Sequence, residues 1–367
     1  MRWTLRLLMV LMLGLLALTM TVASAQDDAV DPCLAASAEA TEATAPPDNS
    51  DFSFEIILPN PRGDRSFIDS AAAGAERAIA ELGVEGTIIE AQGEQEHNAT
   101  VRRAVQDEPD LVITIAVDSA TVEEIVDEFP DQLFAAQESF FPETPDYDNL
   151  ALYTIYTHEN SYLAGIAAGM LTETKIVGSV GGGDFGSINM FIVGFEEGVL
   201  SVCPDCQLLR AYVGSFSDPV TGKELALSLY DQGADILYQV AGRSGEGVLE
   251  AAEETGNFAI GVDSNQDDTY PGTIIVSAMK RVDTAVFSFV ESVVNDTYTP
   301  GETSVGMAEG FTGLSWDVGT CSRTFDEFGP EEMVAKLPEV RAAIEEARAA
   351  ILSGDLVVTN ALLAPAE

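Results

Sequence analysis

Phe54-Glu-Ile-Ile-Leu-Pro-Asn-Pro-Arg-Gly-Asp-Arg-Ser-Phe67 is the stretch of this sequence that decides its fold class. An apolar strand pattern stops at two prolines, and an amphipathic helical pattern begins at about residue 67. In an open α/β sheet, small ligands bind beyond the carboxyl ends of strands, at loops of this kind. The loop carries a carboxylate (Asp64), a hydroxyl (Ser66) and an aromatic ring (Phe67), but no nucleophile–base pair. It therefore predicts a ligand-binding loop.

Short runs rich in β-branched residues alternate with helical patterns from residue 52 onward, which predicts parallel sheets with crossover helices. About ten strands exceed what one doubly wound sheet of this length usually holds. We therefore expect an α/β fold of two doubly wound lobes with a ligand cleft between them. The strand candidates are 53–58, 86–90, 111–116, 133–136, 151–155, 176–181, 207–213, 235–239, 258–262, 273–277 and 304–308; the helix candidates are 67–82, 98–105, 119–128, 160–172, 187–201, 220–232, 245–255, 279–295 and 338–353.

The chain is predicted to cross between the two lobes several times. A fresh series of strands starts at Ile176, and the strand and helix after residue 271 could return to the first lobe. The first lobe is thus expected to comprise residues 51–175 plus 271–303, and the second lobe residues 176–270 plus 304–367. Several crossings of this kind are typical of a hinged clamp for a small ligand.

The N-terminus has the pattern of an export signal. Residues 1–25 have a basic start, an apolar run and the small-residue ending Ala23-Ser24-Ala25, which predicts a cleaved signal peptide. An uncleaved membrane anchor is the alternative. Cys33 lies too far downstream to serve as a lipid-attachment cysteine. Residues 26–50 lack periodicity and are predicted to form a flexible acidic spacer. We therefore expect an extracytoplasmic protein, in the periplasm or at the outer face of the cell membrane.

The acidic composition limits the possible partners. The chain has 61 acidic and 17 basic residues, giving a formal net charge of −44. Long-range repulsion disfavours nucleic acid and anionic membrane surfaces. The charge itself is typical of a solubility-driven or salt-adapted surface, and a neutral ligand would meet no electrostatic barrier.

Four cysteines lie in the exported part of the chain. An even number outside the cytosol suggests disulfides. Cys203 and Cys206 are close enough to pair with each other, which would leave Cys33 with Cys321. A Cys-x-x-Cys redox site is the alternative, but the motif follows a predicted helix instead of opening one, so no helix dipole would lower a thiolate pKa. Zinc is disfavoured because neither histidine is near a cysteine pair.

Two glycine-rich junctions follow predicted strands. Residues 181–186 formally match the dinucleotide pattern G-x-G-x-x-G, but a tight strand-to-helix turn is the simpler interpretation in an exported chain. Residues 239–247, which include Gly242, would allow the backbone to approach a ligand, or would merely allow close packing. We expect no cofactor.

Three further positions carry candidate binding groups. Phe216 lies at the tip of a strand, where it could fill a lobe core or stack on a planar ring. Asp263 ends a buried-type strand, and its carboxylate can accept hydrogen bonds from sugar hydroxyls. Lys280 and Arg281 are predicted at the start of a helix, where the helix dipole disfavours basic residues. A carboxylate partner or a ligand oxygen would explain them; solvated surface side chains are the alternative.

Catalysis is poorly supported. The sequence has no G-x-S-x-G nucleophile elbow, and His158 is predicted to lie at the start of a helix. A glycosidase carboxylate pair stays open because acidic residues are frequent. A nucleoside hydrolase would need clustered aspartates for a catalytic calcium ion, and no such cluster is evident. We therefore expect a binding protein and not an enzyme.

Eight segments together resemble one known family. The chain is similar to the basic membrane protein family of ABC-transporter solute-binding proteins, which includes bacterial purine-nucleoside receptors. The resemblance covers about three-quarters of the exported chain, from about residue 52 to residue 316. The matching segments are 63–67 GDRSF, 160–169 NSYLAGIAAG, 180–183 VGGG, 195–198 FEEG, 212–219 YVGSFSDP, 230–236 YDQGADI, 261–266 GVDSNQ and 279–283 MKRVD.

The resemblance implies a type I periplasmic-binding-protein fold that holds a purine nucleoside between its lobes. Asp64 matches the position that contacts the base, Phe67 and Phe216 match an aromatic clamp, and Asp263 and Lys280 match the groups that hold the ribose hydroxyls. It further implies ABC permease subunits as partners, and we expect the receptor to be a monomer. An extracellular sensing module for a membrane signalling protein is the alternative.

The sequence departs from the family pattern at three positions. Gly63 stands where the family commonly has Asn, and Arg243 stands where glycine is common. The acidic residue expected ahead of one helix falls at Ala120, and Asp118, two positions earlier, is the candidate replacement. These departures concern the ligand more than the fold.

Overall fold

Two six-stranded sheets form the framework of this chain, and helices pack on both faces of each sheet. The structure is a computed structural model that describes residues 46–143, 145–319 and 321–363. The predicted signal peptide, most of the predicted spacer and Cys33 lie outside the described residues. The predicted α/β class with two parallel-sheet lobes is confirmed.

Twelve strands are described in the two sheets. They are β1 Ser53–Leu58, β2 Glu85–Glu90, β3 Leu111–Ile115, β4 Leu133–Gln137, β5 Leu150–Ile155, β6 Ile176–Gly181, β7 Gln207–Tyr212, β8 Ile236–Val240, β9 Phe258–Asp263, β10 Ile274–Lys280, β11 Gly301–Val305 and β12 Thr312–Leu314. The sheet of the first lobe has the strand order β11-β5-β4-β3-β1-β2, and all its strands are parallel. The sheet of the second lobe has the order β12-β10-β9-β8-β6-β7, in which β12 runs antiparallel to its neighbour and the others are parallel.

Most helices lie between two strands, as crossover connections in parallel sheets require, and the last three follow the final strand. The first described helix ends at Gly83, whose φ of 66° is the left-handed conformation that glycine adopts readily. The helices are α1 Phe67–Leu82, α2 His97–Gln106, α3 Ser119–Glu128, α4 His158–Leu171, α5 Gly186–Val202, α6 Pro219–Asp231, α7 Ser244–Thr255, α8 Val282–Val294, α9 Thr324–Phe328, α10 Glu331–Val334 and α11 Leu337–Ser353; a single 3₁₀ turn spans Glu94–Glu96.

The structure corrects where the chain passes between the lobes. Strand β10, predicted to return to the first lobe, pairs with β9 in the second sheet. The return comes one element later, with helix α8, which packs against α1. Strand β11 then joins β5 in the first sheet, although its last residues were predicted for the second lobe. Sheet membership depends on which strand edge is free, and the sequence pattern does not record this.

Helix α4 also belongs with the second lobe, although residues 51–175 were predicted to form the first. It packs against α5 and α11. Its contact with α5 is close because a Cβ atom on Gly165 would lie 2.0 Å from the Phe195 carbonyl oxygen, and one on Gly198 would lie 2.0 Å from that of Tyr162. Glycine at both crossing points lets the two backbones touch.

The Cys203–Cys206 disulfide is present, directly after helix α5 ends at Val202. Cys321 is also disulfide-bonded, whereas its predicted partner Cys33 lies outside the described residues. Among residues 46–143, 145–319 and 321–363, no helix is long and apolar enough to span a membrane.

Candidate ligand-binding site

Asp64 orders the loop that links β1 to α1. Its carboxylate accepts backbone hydrogen bonds from Ser66 (3.0 Å), Ile68 (2.9 Å) and Asp69 (3.1 Å), so it caps the free N–H groups at the start of the helix. Burial raises the pKa of Asp64, although these three bonds oppose the shift. Asp64 therefore lies in the loop after β1, as the sequence predicts, and both of its carboxylate oxygens accept hydrogen bonds from the backbone that follows it.

Ser66 links this loop to the second lobe. Its side chain is fully buried, and Oγ donates a hydrogen bond of 2.6 Å to Oδ2 of Asp263, the last residue of β9. Two further bonds join the same loops, from Ser264 Oγ to the Ser66 carbonyl oxygen (3.1 Å) and from Gln266 Nε2 to the Arg65 carbonyl oxygen (3.2 Å). The carboxyl ends of β1 and β9 thus meet across the two lobes.

Lys280 is the last residue of β10, which corrects its predicted place at the start of a helix. It is 3% exposed, and its Nζ lies 2.8 Å from Oε2 of Glu138, which follows β4 in the first lobe. A buried ammonium requires a partner of this kind. Arg281 lies at the start of a helix as predicted, because it is the N-cap residue of α8, and it pairs with Asp283.

Asp263 carries the largest electrostatic perturbation of the site. Burial raises its pKa to about 6, while the nearby Lys280 ammonium and the Ser66 hydroxyl lower it. Its φ of 61° is in the left-handed region, as is the φ of 59° at Glu138. Strained backbone conformations of non-glycine residues concentrate at functional sites. We call Ser66, Glu138, Asp263 and Lys280 the interlobe cluster.

Aromatic rings lie beside this cluster. The Lys280 Nζ atom is 5.4 Å from the ring centre of the half-buried Phe67 and 5.5 Å from that of the buried Phe191 on α5. Such distances allow cation–π attraction. Phe67 therefore contributes to the surroundings of Lys280, and its role in stacking stays a prediction.

Phe216 lies at the carboxyl end of the second sheet, 40% exposed, with its ring centre 6.1 Å from that of Phe185. It packs over Gly182, where a Cβ atom would lie 2.2 Å from a ring carbon. Gly242, with a φ of 54°, lies next to it, and a Cβ there would be 3.5 Å from the Phe216 carbonyl oxygen. The glycine-rich junction at 181–186 is thus a strand-to-helix turn that gives room to an exposed aromatic ring.

Asp118 has a different environment. It is exposed and caps helix α3, because its Oδ1 accepts a hydrogen bond of 2.8 Å from the Thr121 backbone. Helix capping accounts for the position of this carboxylate, and a role in binding stays a prediction.

Sequence reasoning missed Glu138 and Phe191, which contact Lys280. A usable signal existed for Glu138, since it directly follows a buried strand, much as Asp263 ends one. The signal was weaker for Phe191, because an aromatic residue in a helix is most often part of a core.

A cavity of about 660 Å³ opens beside the cluster. Its lining includes Arg65, Asp69, Asp263, Arg281 and Asp283, but neither Phe67 nor Phe216. This volume is in the range of small-molecule sites. Among the predicted site residues, only Asp263 borders it.

Comparison with known proteins identifies the family. Residues 53–334 match the family described as ABC transporter substrate-binding protein PnrA-like. The chain is 32% identical over 285 residues to an uncharacterized lipoprotein of Pyrococcus furiosus, covering 74% of this chain and 71% of the relative. It is 27% identical over 264 residues to basic membrane protein A of Borreliella burgdorferi, covering 71% and 78%.

A solved structure supports the same assignment. The ABC transporter solute-binding protein of Aeropyrum pernix K1 superposes with a TM-score of 0.73 at 28% identity, covering 84% of this chain and 93% of that chain. The predicted type I periplasmic-binding-protein fold and the predicted family are confirmed. The chain belongs to the PnrA-like family of ABC transporter substrate-binding proteins.

Proposed function

We propose that this chain binds a purine nucleoside between its two lobes and delivers it, as an extracytoplasmic monomer, to an ABC permease. The observation that carries the proposal is the interlobe cluster, in which Asp263 and Lys280 of the second lobe meet Ser66 and Glu138 of the first. A carboxylate and an ammonium side by side suit vicinal hydroxyl groups, which both donate and accept hydrogen bonds.

The remaining predicted site residues would contact the base of the nucleoside or let the backbone approach it. Phe67 and Phe216 lie in opposite lobes at the carboxyl ends of their sheets, where each offers a ring face. Stacking on an aromatic face contributes about 0.5–1.5 kcal/mol per contact. Asp64 would meet the polar edge of the base with the acceptor site that its three backbone hydrogen bonds leave on the carboxylate. Gly242 would let the backbone approach the ligand.

Among the described residues, the Asp263 carboxylate accepts one side-chain hydrogen bond, from Ser66, and the Lys280 ammonium pairs with Glu138. A carboxylate can accept about four hydrogen bonds and an ammonium can donate three. The ligand hydroxyls would therefore bind the capacity that remains on both groups, or replace Ser66 at Asp263. A ligand able only to accept hydrogen bonds could not replace Ser66 at the carboxylate.

Isothermal titration with inosine, guanosine and adenosine tests the proposal. We expect the wild-type chain to bind at least one of them and Asp263→Ala to lose about tenfold or more in affinity, since a charge-assisted hydrogen bond contributes about 1.5–3 kcal/mol. Absence of binding to all three nucleosides would rule out the proposed ligand.

Asp235→Ala is the matched control. Asp235 is also a buried carboxylate of the second lobe, but it precedes β8, and it accepts hydrogen bonds from Thr172 Oγ1 and from the Glu173 and Thr174 backbone. This variant is expected to lose stability but to keep its nucleoside affinity at temperatures where it is folded. An equal loss of affinity in both variants would show that Asp263 acts through stability alone.

A further inference from the structure

The end of strand β4 carries a buried amide without hydrogen bonds. Gln137 is 0% exposed, and among the described residues neither its Nε2 nor its Oε1 atom has a partner. Burying a polar group unpaired costs about 1–3 kcal/mol, so such groups are rare in native proteins. Gln137 therefore needs an explanation beyond the packing of the first lobe.

The other buried glutamines show what a structural role looks like. Gln239 donates from Nε2 to Gln266 Oε1 (2.7 Å) and accepts from the Ala241 backbone (3.2 Å). Gln266 also accepts from the Val262 backbone (3.0 Å) and donates to the Arg65 carbonyl oxygen (3.2 Å). Both amides are engaged on their oxygen and nitrogen sides, in contrast to Gln137.

The position of Gln137 points to the ligand site. Side chains alternate along β4, so Gln137 shares a face with Ala135, and Ala135 belongs to the core cluster against which Phe67 packs. Gln137 is the last residue of the strand, and the next residue, Glu138, binds Lys280 of the second lobe. The unpaired amide thus lies at the sheet edge that carries the interlobe cluster.

We propose that Gln137 is a specificity-determining residue, whose amide binds an adjacent hydrogen-bond donor and acceptor on the ligand. This inference rests on the proposed function, because it places the ligand at the interlobe cluster. A carboxamide presents one acceptor and two donors in a plane, which matches the polar edge of a purine. The ligand would supply the hydrogen-bond partners that the Gln137 amide lacks within the described residues.

Gln137→Met tests the inference, because methionine keeps the size of the side chain and removes its amide. Replacing an unpaired buried amide by an apolar group should leave the melting temperature of the ligand-free protein unchanged or raise it. The affinity for inosine should nevertheless fall about tenfold or more, which corresponds to about 1.4 kcal/mol. Gln137→Met is thus expected to lose inosine affinity without losing stability.

Thr114→Val is the matched control. Thr114 is 2% exposed, lies on the neighbouring strand β3, and its Oγ1 also has no partner among the described residues. It pairs in register with Ala136, which belongs to the core cluster on the opposite face of the sheet. This variant removes an unpaired polar group of the same lobe away from the proposed contact, and its inosine affinity should not change.

The outcomes separate the two proposals. Unchanged inosine affinity in Gln137→Met and in Gln137→Leu would overturn the role of Gln137 while leaving the nucleoside proposal intact. A lower melting temperature, or failure of both variants to fold, would also overturn it, because the amide would then have a structural partner. If wild-type protein binds none of inosine, guanosine and adenosine, the nucleoside proposal fails first and this inference fails with it.

Discussion

Asp263 shows at the level of one residue how burial and pairing oppose each other. Its carboxylate accepts a hydrogen bond from Ser66 and lies near the Lys280 ammonium, yet its pKa is raised to about 6, because the loss of hydration outweighs both partners. The site therefore holds a carboxylate that prefers its proton more than an ordinary aspartate does.

This raised pKa predicts a specific pH dependence of stability. The folded protein binds the Asp263 proton more tightly than the unfolded chain does, whose aspartates titrate near 3.8. The contribution of Asp263 to the unfolding free energy is thus fully present below about pH 4 and is lost as the pH rises through about 6. Asp263→Asn removes this dependence. Its stability relative to wild type should rise between about pH 4 and pH 7 by at most about 3 kcal/mol.

Urea unfolding of both proteins across this pH range measures the difference directly. Comparing two proteins cancels the titration of the other carboxylates that the variant shares with wild type. A difference in unfolding free energy that stays constant with pH would show that the Asp263 pKa is not raised.

Glu138 illustrates why sequence reasoning at the residue scale was incomplete. Both members of the Glu138–Lys280 pair are buried, and each would be expensive to bury alone. They lie 142 positions apart in the sequence, and in an acidic chain no charge pattern singles out one carboxylate as the partner of a given lysine. Only the meeting of two sheet edges reveals the pair.

At the scale of elements, the turn between β6 and α5 positions the exposed aromatic rings. Strand β6 ends at Gly181 and helix α5 begins at Gly186. Between them, Gly182 leaves room for Phe216, and Gly183 leaves room for Phe185. The glycines of this turn therefore match side chains that pack on them, and no dinucleotide is needed to explain the pattern.

Gly182→Ala should displace Phe216, because the new Cβ atom would lie 2.2 Å from its ring. If Phe216 stacks on the base, nucleoside affinity should fall roughly threefold to tenfold, as expected for the loss of one stacking contact. Gly183→Ala is the matched control, since its Cβ would meet Phe185 at 2.4 Å instead. Titration with inosine compares them, and an equal loss of affinity in both variants would argue against Phe216 as the stacking ring.

At the scale of the whole molecule, the net charge of −44 opposes the compact state. Exposed carboxylates repel one another, whereas the interlobe cluster is buried and is screened much less by salt. The acidic surface and the buried site should therefore respond differently to ionic strength.

Salt is expected to stabilise the protein. Raising sodium chloride from about 0.1 M to about 1 M shortens the Debye length from about 10 Å to about 3 Å, which weakens surface repulsion. The melting temperature at pH 7 should rise by a few degrees, and by less at pH 4, where part of the carboxylates are protonated. Scanning calorimetry at both pH values checks this; a melting temperature that falls with salt would mean that surface ion pairs outweigh the repulsion.

The sequence alone determined the α/β class, two lobes and most element positions, because hydrophobic periodicity and strand-to-helix turns are local properties. The family followed from the resemblance of eight sequence segments. The sequence also placed Asp64, Phe67, Phe216 and Asp263 at strand ends. The tertiary structure decided which sheet each strand joins, and so moved Lys280 from a helix start to the end of β10. It alone showed the bonds from Ser66 to Asp263 and from Lys280 to Glu138, because they form between sheet edges that are distant in the chain.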